Sequence, residues 1–281
     1  MIVGIPSSAS GIVSATGGTV TTYTFNGVPY KLHTFTSVGT STFTVTESGN
    51  GEVEYLIVGG GAGAARSGAG GAGAVIQGTA SVNAQEYTVT VGSGGGGQED
   101  PYIPSASNGN PSSVFGQTAI GGFVDGTSGN GFAPGASSQS GYSNGVRGGG
   151  GGAAENGKDG VQDRYSGTGG NGLDISAFLG ESPGTTYKGG GGAGGGFWAN
   201  DWGRVQIVPN HPTGTGALGG GGLSPGVGGD AFSSIPSSAR GAANSGGGGA
   251  GSASKMGQPY DAGERGANGG SGIVYIRYRN N

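Results

Sequence analysis

Glu54-Tyr55-Leu56-Ile57-Val58-Gly59-Gly60-Gly61-Ala62-Gly63 is the stretch on which the fold turns. Its first half is β-branched and aromatic, the composition that packs well on a pleated surface. Its second half has almost no side chain to bury, and glycine loses more backbone entropy on ordering than any other residue. Such a run is ordered only where its amides and carbonyls find partners along their length. The junction at 58–59 predicts a strand that delivers the chain into something neither strand nor α-helix.

The same texture spreads outward from this junction. Glycine makes up 74 of 281 residues, in clumps at 59–63, 68–73, 94–97, 148–152, 189–196, 219–222, 246–251 and 269–272. Their uneven spacing excludes a fixed-period solenoid, and the lack of a Gly-X-Y register excludes collagen. The ordered solution is a bundle of polyglycine-II-type threads, extended and with three residues per turn. Glycine keeps the N–H that proline lacks and has no Cβ, so neighbouring threads can bond sideways. Inserts between clumps then emerge at the ends of the bundle, as variable loops on a rigid scaffold.

Flanking segments read as strands. Thr19–Phe25 alternates, Asn26-Gly27 is a hairpin turn, and 30–35, 41–45 and Glu52–Val58 follow, separated by short turns. Residues 74–82 and Glu86–Val91 add two more, and 272–278 should pair back onto the sheet. His33 is expected as a cross-strand surface residue. Asp174 to Leu179 allows one helical turn at most. The expected class is mainly β, with almost no α-helix. Residues 1–18 form an extended attachment segment, 19–91 plus 272–281 an antiparallel β domain, and 92–271 the bundle with its loops.

Composition excludes several functions. Twelve basic residues are scattered singly in a chain of net charge −4, which offers no nucleic-acid stripe. Arg147, Arg240 and Arg265 each adjoin glycine but stand alone, unlike an RGG segment. Without cysteine there is no disulfide framework and no thiolate metal site. No run approaches the ~20 apolar residues of a membrane helix, and the N-terminus lacks an export pattern. An exterior-type surface made without a leader points to a virus particle released by lysis.

Three motifs suggest chemistry and lack its context. Gly59-x-Gly61 follows a strand, but no helix and no acidic residue at the required distance follow it. Gly141-Tyr142-Ser143-Asn144-Gly145 fits a nucleophile pattern without a strand–elbow–helix frame. Asp159 and Asp163 bracket a loop without EF-hand spacing. No catalytic, cofactor or metal residue is assigned, and the chain is expected not to be an enzyme.

The best candidate for recognition is 197–204, directly after the longest glycine run, where both tryptophans stand. Phe197, Trp198 and Trp202 beside Asn200, Asp201 and Arg204 suit stacking on a sugar face or anchoring in a protein crevice. The competing reading is that these rings plug the bundle or meet a neighbouring subunit. Tyr165, Phe178, Tyr187, His211 and Tyr260 are lesser candidates, with loop packing as the default for each.

Several of these stretches share a family pattern. Residues 30–35, 42–45 and 54–63 resemble the opening of the glycine-rich domain of phage tail and fibre proteins. Gly73-Ala74-Val75 with 86–92 resembles its next hairpin, Asn110-Pro111-Ser112-Ser113-Val114-Phe115-Gly116 its Ser-Ser-Phe-Gly element, and 269–278 its ending. The resemblance covers roughly 30–278. The distal part is similar in style to the tip adhesins of T-even-like phage long tail fibres, in which loops on polyglycine helices touch the receptor. The chain departs from that pattern in its N-terminal β segment. The resemblance implies a virion adhesin whose partner is a bacterial surface glycan or outer-membrane protein. It would join other tail or fibre proteins through the N-terminal segment, as a trimer or as a monomer capping a fibre. The alternative is a structural fibre-shaft, neck or decoration protein.

Overall fold

The computed structural model describes residues 11–49, 51–65, 68–98, 105–140, 144–161, 166–198, 218–221, 239–251, 254–255 and 266–280. The early strands are β1 (Ser14–Thr16), β2 (Thr19–Phe25), β3 (Val28–Phe35), β4 (Gly39–Glu47), β5 (Glu52–Val58), β6 (Val75–Ser81), β7 (Glu86–Val91), β8 (Ser112–Val114) and β9 (Gln117–Ala119). Later come β10 (Ser138–Ser140), β11 (Asn144–Val146), β12 (Leu173–Asp174), α1 (Ser176–Leu179), β13 (Tyr187–Lys188), β14 (Gly196–Trp198), β15 (Ser254–Lys255) and β16 (Ile273–Arg279). The antiparallel, mainly β class read from the sequence is the one observed.

The expected antiparallel β domain divides between two five-stranded sheets, ordered β1-β4-β7-β8-β9 and β2-β3-β16-β5-β6. Strand β4 leaves its sequence neighbours for the first sheet, because Phe43 and Val45 must meet Val53, Tyr55 and Ile57 face to face. The strand at 273–279 pairs back as expected, but into the centre of the second sheet, between β3 and β5. Ser14–Thr16, within the extended attachment segment expected at 1–18, pairs with β4. The hairpin at 112–119, which carries no long alternating run, extends the first sheet.

One face of the second sheet meets the first through Phe35, Val53, Tyr55, Ile57, Val274, Ile276 and Tyr278. Its other face carries Leu32, Leu56, Val58, Ile273 and Tyr275 beneath Ile175 and Phe178. A sheet covered on both sides has no polar face, which is why 55–58 and 273–276 read as continuous apolar runs. His33 corrects the expectation of a surface residue, since it is 0% exposed. Its Nδ1 lies 2.7 Å from the Gly17 carbonyl and its Nε2 3.1 Å from the Tyr278 hydroxyl.

Glycine threads continue from the tops of the strands, and the bundle begins at 59, earlier than the boundary of 92 expected. Donation by 59–64 repeats every three residues, at 2.9–3.1 Å. Gly59 and Ala62 donate to Ala74 and Gly71, Gly60 and Gly63 to Asn110 and Ser107, and Gly61 and Ala64 to Gly270 and Ala267. Carbonyls of the same thread accept from three further threads, through Gly95 and Gln98, Gly122, and Gly249. A period of three is that of an extended three-residue turn, where a strand would alternate by two. The thread thus has six hydrogen-bonded neighbours, and its orphan backbone groups are satisfied without a sheet or an α-helix.

Close approach explains the composition. A Cβ on Gly61 would lie 2.1 Å from the Gly247 carbonyl oxygen, and one on Gly63 2.0 Å from that of Gly96. Where a thread leaves room, alanine fills it: Ala193, Ala239, Ala250 and Ala267 form a small methyl core.

Candidate functional site

The bonding pattern gives the bundle a direction. Threads 59–64, 92–98, 189–195 and 246–251 run away from the sandwich, and 69–74, 105–110, 147–152 and 266–272 return to it. Parallel pairs show this (Gly95 to Gly61 and Gln98 to Ala64), as do antiparallel ones (Gly269 to Gly95 and Gly272 to Gly92). Both described chain ends lie at the opposite pole. Gly11 sits against Gly49, in the turn after β4, and the Asn280 amide donates to Pro29 beside the β2–β3 turn.

At the distal pole a small sheet of order β10-β11-β14-β15 ties several crossings together. Strand β14 pairs antiparallel with β11 (Gly145 opposite Phe197, Asn144 opposite Trp198) and parallel with β15 (Phe197 opposite Ser254, Trp198 opposite Lys255). The backbone of Phe197 and Trp198 is thereby fixed at the end of the longest glycine run, between two other segments. Asn200, Asp201, Trp202, Arg204, Tyr165, His211 and Tyr260 lie outside the described residues.

Phe178 and Tyr187 belong to the other pole and do not join this group. Phe178 is not at a displayed tip: it is 6% exposed and packs on Tyr275, with ring centroids 6.5 Å apart. Its carbonyl and that of Ala177, at the C-terminal end of α1, accept from Arg277 at 2.7 and 3.1 Å. Arg277 also donates to Glu54 at 2.6 and 3.0 Å and to the Tyr23 hydroxyl at 3.0 Å. Its guanidinium lies between the rings of Tyr30 and Phe178, 4.7 and 4.3 Å from their centroids. Burial pushes the Tyr23 hydroxyl up, with the Arg277 hydrogen bond opposing it. This cluster fastens loop 173–188 over the sheet.

Tyr187 is half-buried in β13, paired with Asp174 of β12. Asp174 itself accepts from the Ser176 hydroxyl and amide and from the Gly184 amide, which hold its carboxyl below the usual range. Of the two aromatic candidates here, Phe178 does the packing work of a loop. The sequence reading missed Arg277, whose place among apolar neighbours in 273–278 is the signal that marks a buried cation needing partners.

The motifs set aside above also find their places. Strand β5 runs into the thread at 59, with no helix after it. Asn144 and Gly145 lie in β11. The Asp159 carboxylate accepts from the Ala136 amide at 2.7 Å, as a loop brace; Asp163 lies outside the described residues. Among the described residues no group of three His, Cys, Asp or Glu is placed to hold a metal ion, and no helix is long and apolar enough to cross a membrane.

No curated protein matches the sequence. The model of the glycine-rich domain family matches residues 36–279, from just before β4 through every glycine thread to the last residue of β16. The chain belongs to the glycine-rich domain family.

Proposed function

We propose that this chain is a phage virion protein, a tail-fibre or tail-tip adhesin that recognises a bacterial surface through loops carried on the distal pole of its glycine bundle. The observation that supports the reading is the polarity of the molecule. The small sheet that joins 138–140, 144–146, 196–198 and 254–255 lies at one pole, on threads stiffened by lateral hydrogen bonds, and both described chain ends lie at the other. A stiff bundle with the described chain ends at one pole and connecting loops at the other suits attachment below and recognition above. Recognition is by stacking and shape at 197–204, without bond chemistry, and repeated copies on a particle raise weak contacts to firm attachment by avidity. The partner is a glycan or protein of the bacterial exterior, and the site of action is the outside of the particle.

The test is adsorption. Purified protein should bind host cells and block infection by the phage that carries it, and removal of 197–204 should abolish both while the amides of the threads and of the sandwich keep their protection from hydrogen exchange. Binding that survives the deletion moves recognition away from the tryptophans. Intact protein that binds no cells but co-purifies with another virion protein establishes the structural role instead.

A further inference from the structure

At the pole remote from the bundle the sandwich opens into a cleft of about 520 Å³. Its lining includes Tyr55, Tyr87 and Phe115, the rim residues Thr79 and Ser81 of β6, and Glu86 and Thr88 of β7. The three rings form one group, with Phe115 5.0 Å from Tyr87 and 6.2 Å from Tyr55.

The rim consists of two strand edges that lack partners. In β6 the odd-numbered residues turn their backbone away from β5. Val75 does so where its amide and carbonyl meet the Asn130 side-chain amide, at 2.8 and 3.3 Å. Asn130 closes only that first position. Beyond it the outward N–H and C=O groups of Gln77, Thr79 and Ser81 have no partner among the described residues. In β7 the even-numbered residues face away from β4, and Thr90 uses this side to pair with Ser113. That is the full extent of β7–β8 pairing, because the hairpin turns at Phe115-Gly116, with φ of 54° and 75°. Glu86 and Thr88 are left with open edges facing the cleft.

Unpaired groups at every second residue match the pitch of an extended peptide and no smaller ligand. We infer that this cleft takes an extended strand of another protein, added to β7 at Glu86 and Thr88. The incoming residue opposite Tyr87 points inward onto the three rings and is apolar. Its neighbours stand beside the exposed Glu86 carboxylate, and the lining holds no Lys or Arg, so the flanking positions are basic. The inference does not depend on the distal pole binding a receptor.

The test uses the full chain and an acetylated, amidated, fluorophore-labelled heptapeptide of alternating valine and lysine. Anisotropy should show saturable binding, with amide resonances of Glu86 and Thr88 shifting and those of the distal pole unmoved. N-methylation of one alternate set of peptide amides should weaken binding about tenfold or more, since it removes the ladder bonds. Glu86→Lys, at an exposed position, should exchange the preference for lysine against one for a valine–glutamate peptide. The proposal is overturned by absence of saturable binding, by indifference to N-methylation, or by an unchanged preference in E86K. It is equally overturned if the free chain is an oligomer whose own contacts protect the Glu86 and Thr88 amides from exchange.

Discussion

His33 shows how a single position couples fold and solvent. Burial is the largest influence on it and holds its imidazole below the ordinary range; the Gly17 hydrogen bond opposes this and the Lys31 charge adds to it. The neutral ring donates through Nδ1 to the Gly17 carbonyl and accepts the Tyr278 hydroxyl proton at Nε2. Because the unfolded chain binds the proton more readily, this contribution is complete above a pH of about 6.5 and is lost as pH falls through the depressed value. Urea midpoints should therefore fall between about pH 7.5 and about pH 5, and His33→Gln should flatten that slope; an equal slope in the variant removes His33 as its source. Arg277 is the second telling residue, since its removal strands the Glu54 carboxylate and leaves the Phe178 carbonyl to the Tyr23 hydroxyl alone. Arg277→Met should cost about 3 kcal/mol, read as a shift of the thermal midpoint. Arg277→Lys should recover little, because an ammonium cannot lie flat between two rings and reach all these acceptors.

Among elements, the strands were legible in the sequence and their partners were not. Asn26-Gly27 announces its hairpin and takes φ of 50° and 78°, the left-handed pair that a two-residue hairpin turn requires. Alternation marks 19–25 and 86–91, but nothing local shows that β4 and β7 belong to one sheet while β5 and β6 belong to the other. That choice is made by which inward faces meet. The hairpin at 112–119 escaped because its strands have three residues each and its turn places a phenylalanine at positive φ. That the threads bond sideways follows from a run whose amides need partners outside it, yet glycine carries no pattern to say which thread lies beside which. The candidate site was legible only as far as Phe197 and Trp198 standing at a thread's end; the burial of Phe178 was not, because an aromatic in a loop gives no sign of what it packs against. At this scale Gly61→Ala should cost about 3 kcal/mol or more, because the obstructing atom is backbone. Ala62→Gly, at the next position of the same thread, should cost about 1 kcal/mol. Equal losses in the two variants, measured by urea unfolding, would mean that the threads are loosely packed.

For the whole molecule, the bundle should behave as a rigid body despite having almost no regular secondary structure. Amides of Gly61, Gly70, Gly249 and Gly270 each donate to a neighbouring thread at 2.8–2.9 Å. Native-state hydrogen exchange should find them protected as strongly as those of Ile57 and Val274 in the sheet core. Exchange at the rate of an open chain would dissolve the idea of a stiff rod and, with it, the display of loops at a distance.

The placement of β16 carries a consequence for manufacture. The strand that occupies the middle of the second sheet follows every glycine thread in the chain, so β3 and β5 wait without a bond between them until synthesis has passed residue 279. Until then the ribosome holds a nascent sandwich with an open seam, its second sheet split into the separate β2–β3 and β5–β6 pairs. Closure of that sheet is therefore late, with the seven residues of the strand set in as the keystone.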